Sequence, residues 1–375
     1  MSDITLSSGI RSNLLSLQQT SADLTTTQEQ LATGKKVNSA ADNPSSYFTS
    51  QNLTNNANSL SALLDQIGQG HQTINAATDG LTGISSLLQQ ALATVQQAQQ
   101  ASPTTAASTT GTVALTTVNA GGNLVLNVGA SSYTVSITAS ESISAIEAQI
   151  NGTTGLGSTG ALTATDDGSG HLVLTANSAS SSITVTSGAE ATALGLASTP
   201  VYGQSATRST LQTNYNGLLT QINQLAGDAT YNGVNLLNGD NLTIDFNQSA
   251  SSSLTIQGVT FNSSGLSLSA ISGTGGASFQ NDSTLSSTVT ALNNAIGTVQ
   301  SQTETFGTNS GVIGTRQTFT TNLINTLQTG AANLVAVDQN QASADLLTEQ
   351  TQQQLEISAL SIANQANQSV LKLFP

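Results

Sequence analysis

The sequence predicts a mainly α-helical protein with β additions: long antiparallel coiled-coil helices from both termini, a β-hairpin, and a small inserted α+β module. Two observations support this prediction. Near both ends of the chain, apolar residues recur at alternating steps of four and three, which is the spacing of a coiled-coil seam. Between these regions lies a segment rich in Ser, Thr and Gly, in which short apolar runs alternate as they do in strands.

The longest repeat predicts a helix over residues 46–101, bounded by Asn43-Pro44 and by Ser102-Pro103. Its seam positions are Leu53, Ala57, Leu60, Leu64, Ile67, His71, Ile74, Thr78, Leu81, Ser85, Leu88, Leu92 and Val95. A matching set predicts helix over residues 285–373, with an interruption at the glycines of 307–314: Leu292, Ile296, Val299, Thr303, Phe306, Ser310, Ile313, Leu323, Leu327 and Leu334. Neither seam can bury itself, so we expect the two regions to pack together.

The extreme ends of the chain carry sparser repeats. The apolar positions are Leu14, Leu17, Leu24 and Leu31 in the first helix, with Ser21 and Gln28 as weak members, and Leu360, Ile362, Ala366, Val370 and Leu373 in the last. Such seams are too sparse to sustain a lone helix in water, because most helical stability comes from packing an apolar face. We expect these residues to be self-assembly seams.

The middle of the chain predicts a separate α+β module over residues 104–203. Strands are expected at 123–128, 133–138, 162–165, 172–176 and 183–186, with one helix at 142–150. Thr138 and Glu141 have the spacing of a capping box for that helix, and Asp166-Asp167-Gly168 begins a hairpin turn. After the module, a helix is expected at 205–227 and a β-hairpin at 242–246 and 254–259.

Composition excludes several classes of function. Twenty acidic residues face six basic ones, for a formal net charge of −14, and no Lys or Arg lies between Lys36 and Arg208. Nucleic-acid binding requires a basic surface, which this chain lacks. No apolar run is long enough to span a membrane, and the first twenty residues lack the pattern of a cleavable signal peptide. Membrane insertion is therefore not expected.

No pattern of catalytic or metal-ligating residues stands out. His71 is interpreted as a packed helix residue, with a pH-responsive role as the alternative, and His171 follows a turn without other metal ligands nearby in sequence. Asp166-Asp167 lacks the EF-hand spacing, and Gly68-Gln69-Gly70 lacks the context of a phosphate loop. We expect no cofactor, no metal site and no enzymatic activity. Ser/Thr-linked glycosylation at residues 178–182 stays open.

Three motifs, in order along the chain, closely resemble those of bacterial flagellin. They are LATGKKVNSAADNPSSYF (31–48), DATYNGVNLLNG (228–239) and ALSIANQANQSVLKLF (359–374). The resemblance implies a structural subunit that self-assembles into the helical flagellar filament for swimming motility. It also implies an inner terminal domain (1–42 and 341–375), a rod domain with the hairpin (46–103, 204–270 and 285–340), and a surface-exposed insertion (104–203). The insertion departs from simple flagellins because it separates the two N-terminal rod helices.

The same resemblance implies partners and a location. The expected partners are copies of the chain itself, hook-associated and cap proteins, and the flagellar export chaperone and export apparatus. The expected location is the extracellular filament, reached without a cleavable signal peptide. Two alternatives remain: the hook–filament junction protein, which shares the end helices, and an enzyme carried on the scaffold, for which 104–203 offers only scattered acids and one His.

A last expectation concerns the animal innate flagellin receptor. Flagellins that this receptor recognises resemble one another in the late rod helix, where Arg and Glu residues punctuate a Leu/Val stripe. The matching stretch here is ISSLLQQALATVQQA (84–98), with Leu88, Gln89, Gln90, Leu92 and Val95 as the epitope counterpart, and it carries no charge. Since Gln does not reproduce the planar, multi-donor guanidinium, weak activation is expected.

Overall fold

The protein is described by a computed structural model that covers residues 8–119, 121–157, 160–273 and 275–373, without the side chains at 367 and 370–373. The helices are α1 (Ser8–Thr33), α2 (Pro44–Gln100), α3 (Ile143–Gly152), α4 (Ala189–Ala193), α5 (Ala206–Asp228), α6 (Asp282–Val335) and α7 (Gln339–Leu373). The strands are β1 (Ser108–Thr110), β2 (Thr117–Val118), β3 (Gly122–Val128), β4 (Ser131–Ile137), β5 (Glu141–Ser142), β6 (Leu162–Asp166), β7 (Leu172–Ala176), β8 (Ile183–Val185), β9 (Leu242–Asp245) and β10 (Ser253–Ile256). The predicted fold class is confirmed.

Local sequence signals explain where the first helices end and begin. Gly34 follows α1 with φ +69°, a left-handed conformation that glycine adopts without steric cost. Pro44 occupies the first position of α2, where its missing N–H costs nothing. The side chain of Asn43 accepts a hydrogen bond from the Ser46 N–H at 3.0 Å and so caps the helix.

The chain forms two compact units. The terminal unit comprises the described residues of Met1–Gly68, Asp245–Ser253 and Gly314–Pro375, and the central unit comprises those of Gln69–Ile244 and Leu254–Ile313. In the terminal unit, α1 packs antiparallel to α7, and the connecting segments join at hydrogen bonds from Lys36 N–H to the Val335 carbonyl (2.7 Å) and from Val337 N–H to the Gly34 carbonyl (3.1 Å).

The central unit contains a close packing of α2 against α5. A Cβ built on Gly80 would lie 2.7 Å from the Ala229 Cβ, and one on Gly83 would lie 2.6 Å from the Leu225 Cδ2. Glycine is therefore needed at Gly80, where the near atom is the Cβ of Ala229, whereas at Gly83 the near atom is the end of the flexible Leu225 side chain. The helix thus has two packed faces in this unit rather than one.

This second packed face changes the predicted seam of α2. One set of predicted positions is buried as expected: Ile67, Ile74, Leu81, Leu88 and Val95. The alternate positions, which include His71, Thr78 and Ser85, are only half-buried. The residues buried in their place lie three positions after the first set: Gly70, Ala77, Ile84, Ala91 and Ala98. The single-partner seam was therefore wrong in detail.

The predicted interruption of the C-terminal helix was also wrong. Helix α6 runs unbroken through 307–314, and the break falls later, between α6 and α7. A glycine inside a helix costs about 1 kcal/mol relative to alanine. Phe306 and Ile313 are both fully buried on this stretch, and their packing outweighs that cost.

The inserted module has a hydrophobic core of its own, formed by 21 buried residues between Ala107 and Leu196. Two three-stranded antiparallel sheets, ordered β1-β7-β6 and β4-β3-β8, contribute to it together with α3. Helix α3 is capped by Ser142, whose hydroxyl accepts the Ala145 N–H at 3.2 Å, so the capping box that we placed at Thr138 was wrong. Thr138 donates instead to the Glu141 carboxylate.

Candidate functional site

The contact between α1 and α7 has a polar interior. Thr20 and Thr27 are the most buried residues of α1 after Ile10, with 7% and 8% of their surface exposed. The Thr20 hydroxyl donates to Glu356 Oε1 at 3.1 Å, and the Thr27 hydroxyl donates to Glu349 Oε1 at 3.1 Å. The Ser16 hydroxyl also donates to Glu356, at 2.6 Å. The hydroxyls of Thr20 and Thr27, which are seven residues apart, therefore pair with the carboxylates of Glu356 and Glu349, which are also seven residues apart.

These pairs define one antiparallel register. A step of seven residues forward on α1, from Thr20 to Thr27, matches a step of seven back on α7, from Glu356 to Glu349. The second oxygen of each carboxylate, Oε2, is buried without a hydrogen-bond partner among the described atoms. Because a buried polar group that lacks a partner is costly, these oxygens reduce the net stabilisation from the hydroxyl–carboxylate hydrogen bonds, which nonetheless favour this register over others.

The predicted assembly residues fall into three groups. Leu17, Leu24, Leu31 and Leu360 are half-buried in the described helices. Leu14 is 40% exposed, Ile362 is 67% exposed and Ala366 is exposed. The side chains of Val370 and Leu373 lie outside the described part of the chain. Thr20 and Thr27 are buried where the four–three pattern uses Ser21 and Gln28, so these two alternate seam positions lie one residue before the predicted ones, while Leu17, Leu24 and Leu31 stay on the seam.

Helix α7 also carries apolar side chains that are largely exposed. Leu347, Leu355 and Ile362 are each about two-thirds exposed (67%, 65% and 67%). Their spacing of eight and seven residues places them on one side of a helix, away from Glu349 and Glu356. We call these three residues the outer stripe of α7. Leu15, 69% exposed, adds an apolar side chain on α1.

A groove of about 600 Å³ lies between α2 and α6 in the central unit. Its floor includes Leu81 and Val299, and its walls include Ser85 and Thr303. The exposed Glu304 lines one edge. The groove exists because the facing seam positions 85 and 303 hold small side chains, which leave the interhelical space unfilled.

The epitope counterpart lies on α2 beside this groove. Leu88 and Val95 are fully buried, Leu92 is half-buried, and Gln89 and Gln90 are exposed. Only the two glutamines and part of Leu92 are therefore available for contact with another protein. The buried pair belongs to the core of the central unit.

The titratable groups form local contacts. His71 Nε2 lies 2.9 Å from the Ser310 hydroxyl, and His171 Nδ1 lies 2.7 Å from Asp167. The backbone N–H of Ser169, with smaller contributions from His171, holds the pKa of Asp167 below its ordinary value. Burial raises the pKa of Glu147, and the nearby Asp166 adds to this effect. Within the described residues, no cluster of three potential metal ligands occurs, and no helix is long and apolar enough to cross a membrane.

Arg208 is a structurally important residue that the sequence reasoning did not single out. It is 3% exposed, and its guanidinium donates to the carbonyls of Ala101 (2.6 Å), Phe279 (3.3 Å) and Gln280 (3.1 Å). It also forms an ion pair with Asp282 at 2.7 Å. The segments joined are the end of α2, the start of α5 and the start of α6. The sequence feature that could have identified Arg208 is that no other Lys or Arg occurs between it and Lys36.

The fold and these surfaces define a class of protein. Long paired helices with unpartnered apolar side chains at their termini are typical of structural subunits that assemble with further copies. Comparison with known proteins gives the family. Residues 9–118 match the model of the bacterial flagellin N-terminal helical region, and residues 288–374 match that of the bacterial flagellin C-terminal helical region.

Similar curated proteins carry the same family name. The chain is 26% identical over 375 residues to Flagellin FljM of Caulobacter vibrioides, covering 100% of this chain and 99% of the relative. It is 29% identical over 164 residues to Flagellin FljK of the same organism, covering 44% of this chain and 59% of the relative. The chain belongs to the bacterial flagellin family and is a structural subunit of the flagellar filament, which drives swimming motility.

Proposed function

We propose that the paired helices α1 and α7 join subunits in the filament through their outer surface. The observation that carries this proposal is the exposure of the outer stripe, Leu347, Leu355 and Ile362, at about two-thirds of each side chain. Covering one such side chain releases about 1.5–3 kcal/mol of hydrophobic free energy. The inner seam, which is held by hydroxyl–carboxylate pairs, leaves this apolar surface available to neighbouring subunits.

We assign a separate role to each of the expected domains. Residues 1–42 and 341–375 form the assembly domain, and residues 46–103, 204–270 and 285–340 form the rod with its hairpin. The module at 104–203 lies on the filament surface and is dispensable for assembly. Its separate hydrophobic core supports this assignment.

The proposed partners beyond the chain itself are those of a filament protein. Hook-associated and cap proteins contact the ends of the polymer, and an export chaperone and the export apparatus handle the chain before assembly. The outer stripe supports a chaperone contact, because an apolar surface exposed before assembly requires cover. The proposed role involves no catalytic step, no cofactor and no nucleic acid.

The proposed interaction with the animal innate receptor is weak. Gln89 and Gln90 occupy the exposed surface of α2 where receptor-activating flagellins resemble one another in carrying arginine. The absence of charge over residues 84–98 supports weak recognition, since buried interface arginines commonly contribute about 2 kcal/mol or more. Assembly is unaffected, because Leu88 and Val95 remain in the core.

The test of the assembly proposal replaces the outer stripe with serine in one variant, L347S with L355S and I362S. Purified protein is seeded, and polymer is measured by sedimentation and electron microscopy. We expect at least a tenfold rise in the critical concentration for polymerisation, because apolar contact is lost while the Thr–Glu pairs remain. The matched control, Q350A with N364A and Q368A, changes three exposed polar residues on another side of α7 and should polymerise normally.

Two outcomes would contradict the proposal. Normal filaments from the serine variant would show that the outer stripe is not an assembly surface. Failure of the native chain to grow long filaments on a seed would favour the alternative role of a junction protein, which is present in few copies and does not elongate.

A further inference from the structure

The α2–α6 groove has the features of a receptor for one projecting side chain. Its floor is apolar, because the buried side chains of Leu81 and Val299 line its base. Its walls are hydroxyl groups of Ser85 and Thr303, and the Glu304 carboxylate at its edge is a charged lining residue. A volume of about 600 Å³ accommodates an aromatic ring. No described side chain of the same central unit fills it.

The filament itself requires such a feature. An open helical polymer is built from heterologous contacts, in which a projection on one part of the chain meets a recess on a different part of the next copy. A recess in the central unit therefore calls for a projecting apolar side chain elsewhere in the chain.

Phe319 on α6, in the terminal unit, is the projection that fits best. Its side chain is 58% exposed, which is unusual for a large aromatic residue. Arg316 lies one helical turn before it and is also exposed, with its guanidinium 5.1 Å from the centre of the Phe246 ring. A phenylalanine with an arginine three residues away is complementary to an apolar recess with a glutamate at its edge.

The other exposed apolar residues match less well. Phe48 is 57% exposed, but the positions three and four residues away hold Pro44, Ser45, Gln51 and Asn52, none of which is basic. Leu15 has Arg11 one turn before it, but it lies on α1, whose outer surface belongs to the terminal assembly domain. Phe48 is consequently a matched control, since it has the same side chain and exposure without a neighbouring cation.

We propose that Phe319 of one subunit inserts into the α2–α6 groove of a second copy of this chain, with Arg316 beside Glu304 of that copy. This inference rests on the filament role described above and adds a contact distinct from the outer stripe. It assigns Phe319 and Arg316 as specificity-determining residues for assembly, and Ser85 and Thr303 as residues that keep the recess open.

The absence of cysteine from the sequence gives a direct test. Two single-cysteine chains, F319C and S85C, are mixed with native chain, assembled on seeds and oxidised. We expect a disulfide-linked dimer that contains one copy of each variant, formed in filaments and not in unassembled protein. Because the two cysteines lie in different chains, the product reports a contact between copies. Mixtures of F48C or L15C with S85C should give at most a tenth as much dimer.

A charge exchange provides the second measurement. The single variants E304R and R316E each place like charges together and should raise the critical concentration at least tenfold. The combined variant, E304R with R316E, should return to within about threefold of the native value. A structural role for either residue alone does not produce this recovery.

The outcomes separate this inference from the assembly role. Filaments that form without an F319C–S85C dimer, or with an equal F48C–S85C dimer, would overturn the groove contact while leaving assembly through the terminal helices intact. Absence of recovery in the combined charge variant would also overturn it. If native chain fails to polymerise, the filament role itself is contradicted.

Discussion

Arg208 shows how one buried charge organises the central unit at the scale of a residue. Its guanidinium satisfies the carbonyls of Ala101, Phe279 and Gln280, and its second contact, Asp282, is largely exposed. The exposed partner means that the ion pair itself contributes little. The hydrogen bonds to buried carbonyls therefore account for most of the stabilisation that Arg208 provides.

Replacing Arg208 should destabilise the protein strongly. We expect R208M to lower the free energy of unfolding by about 3 kcal/mol, because buried carbonyls lose their donor. Urea denaturation followed by circular dichroism measures the change. The matched variant R316M removes an exposed arginine and should cost less than about 1 kcal/mol. Equal effects of the two variants would contradict the role assigned to Arg208.

The glutamines of α2 lead to a second prediction at this scale. Gln90 is exposed, so an arginine at this position points to solvent and leaves the packing of Leu88 unchanged. We expect Q90R to raise activation of the animal flagellin receptor about tenfold in a reporter assay, since an interface arginine contributes about 2 kcal/mol. The control Q51R changes an exposed glutamine of the same helix outside the stretch. Activation by native protein equal to that of an arginine-bearing flagellin would contradict the prediction.

At the scale of elements, the pairing of α1 with α7 depends on two hydroxyl–carboxylate layers. Each carboxylate already has one buried oxygen without a partner, so loss of the hydroxyls leaves Glu349 and Glu356 still less satisfied. Polar residues at seam positions commonly fix register at some cost in stability. The same layers explain why this helix pair holds together with few fully buried apolar side chains.

The register layers can be tested by removing hydroxyls with little change in shape. We expect T20V with T27V to lower the melting temperature of filaments measured by calorimetry, because Glu349 loses its hydroxyl donor and Glu356 keeps only Ser16. An orphaned carboxylate costs about 1–3 kcal/mol. Adding E349L and E356L makes the layers apolar and should restore or exceed the native value. An unchanged melting temperature in the valine variant would show that the hydrogen bonds do not hold the pair.

At the scale of the whole molecule, the inserted module is joined to the rest of the chain by two adjacent segments linked by an isolated β-bridge. Thr104 and Thr105 donate to the Gln204 carbonyl at 2.8 and 3.0 Å, and Gln204 N–H returns a bond to Thr105 at 2.8 Å. The entry and exit of the module are therefore within hydrogen-bonding distance of each other. If the module is removed, a direct bond between Ser102 and Gln204 should therefore leave Ala101 and Arg208 in place.

Deletion of the module should leave assembly intact. A variant that joins Ser102 to Gln204 is expected to polymerise at the native critical concentration, because the module core draws on none of the residues of α2, α5 or α6. Electron microscopy should show a thinner filament, and denaturation should show the loss of one unfolding unit. Monomeric or unfolded variant protein would place the module in the shaft instead.

The sequence by itself determined the long terminal helices, the hairpin and the family resemblance, because these depend on local periodicity, turn residues and motifs. Gly34, Asn43-Pro44 and Ser102-Pro103 mark ends of helices through backbone restrictions that need no tertiary information. The continuity of α6 through its glycines could not be predicted in this way. There, the burial of Phe306 and Ile313 outweighs the low helix propensity of the residues between them.

Only the tertiary structure decided which face of each helix is covered. The close packing at Gly80 depends on Ala229, which follows α5 and lies more than a hundred residues away in sequence, and the burial of Thr20 and Thr27 depends on carboxylates of α7. A seam predicted from the sequence of α1 or α2 alone rests on the assumption of a single apolar partner. Such a prediction cannot identify a second packed face or a polar partner. The Arg208 contacts and the groove at Ser85 and Thr303 exist for the same reason, because each is formed by residues from distant segments.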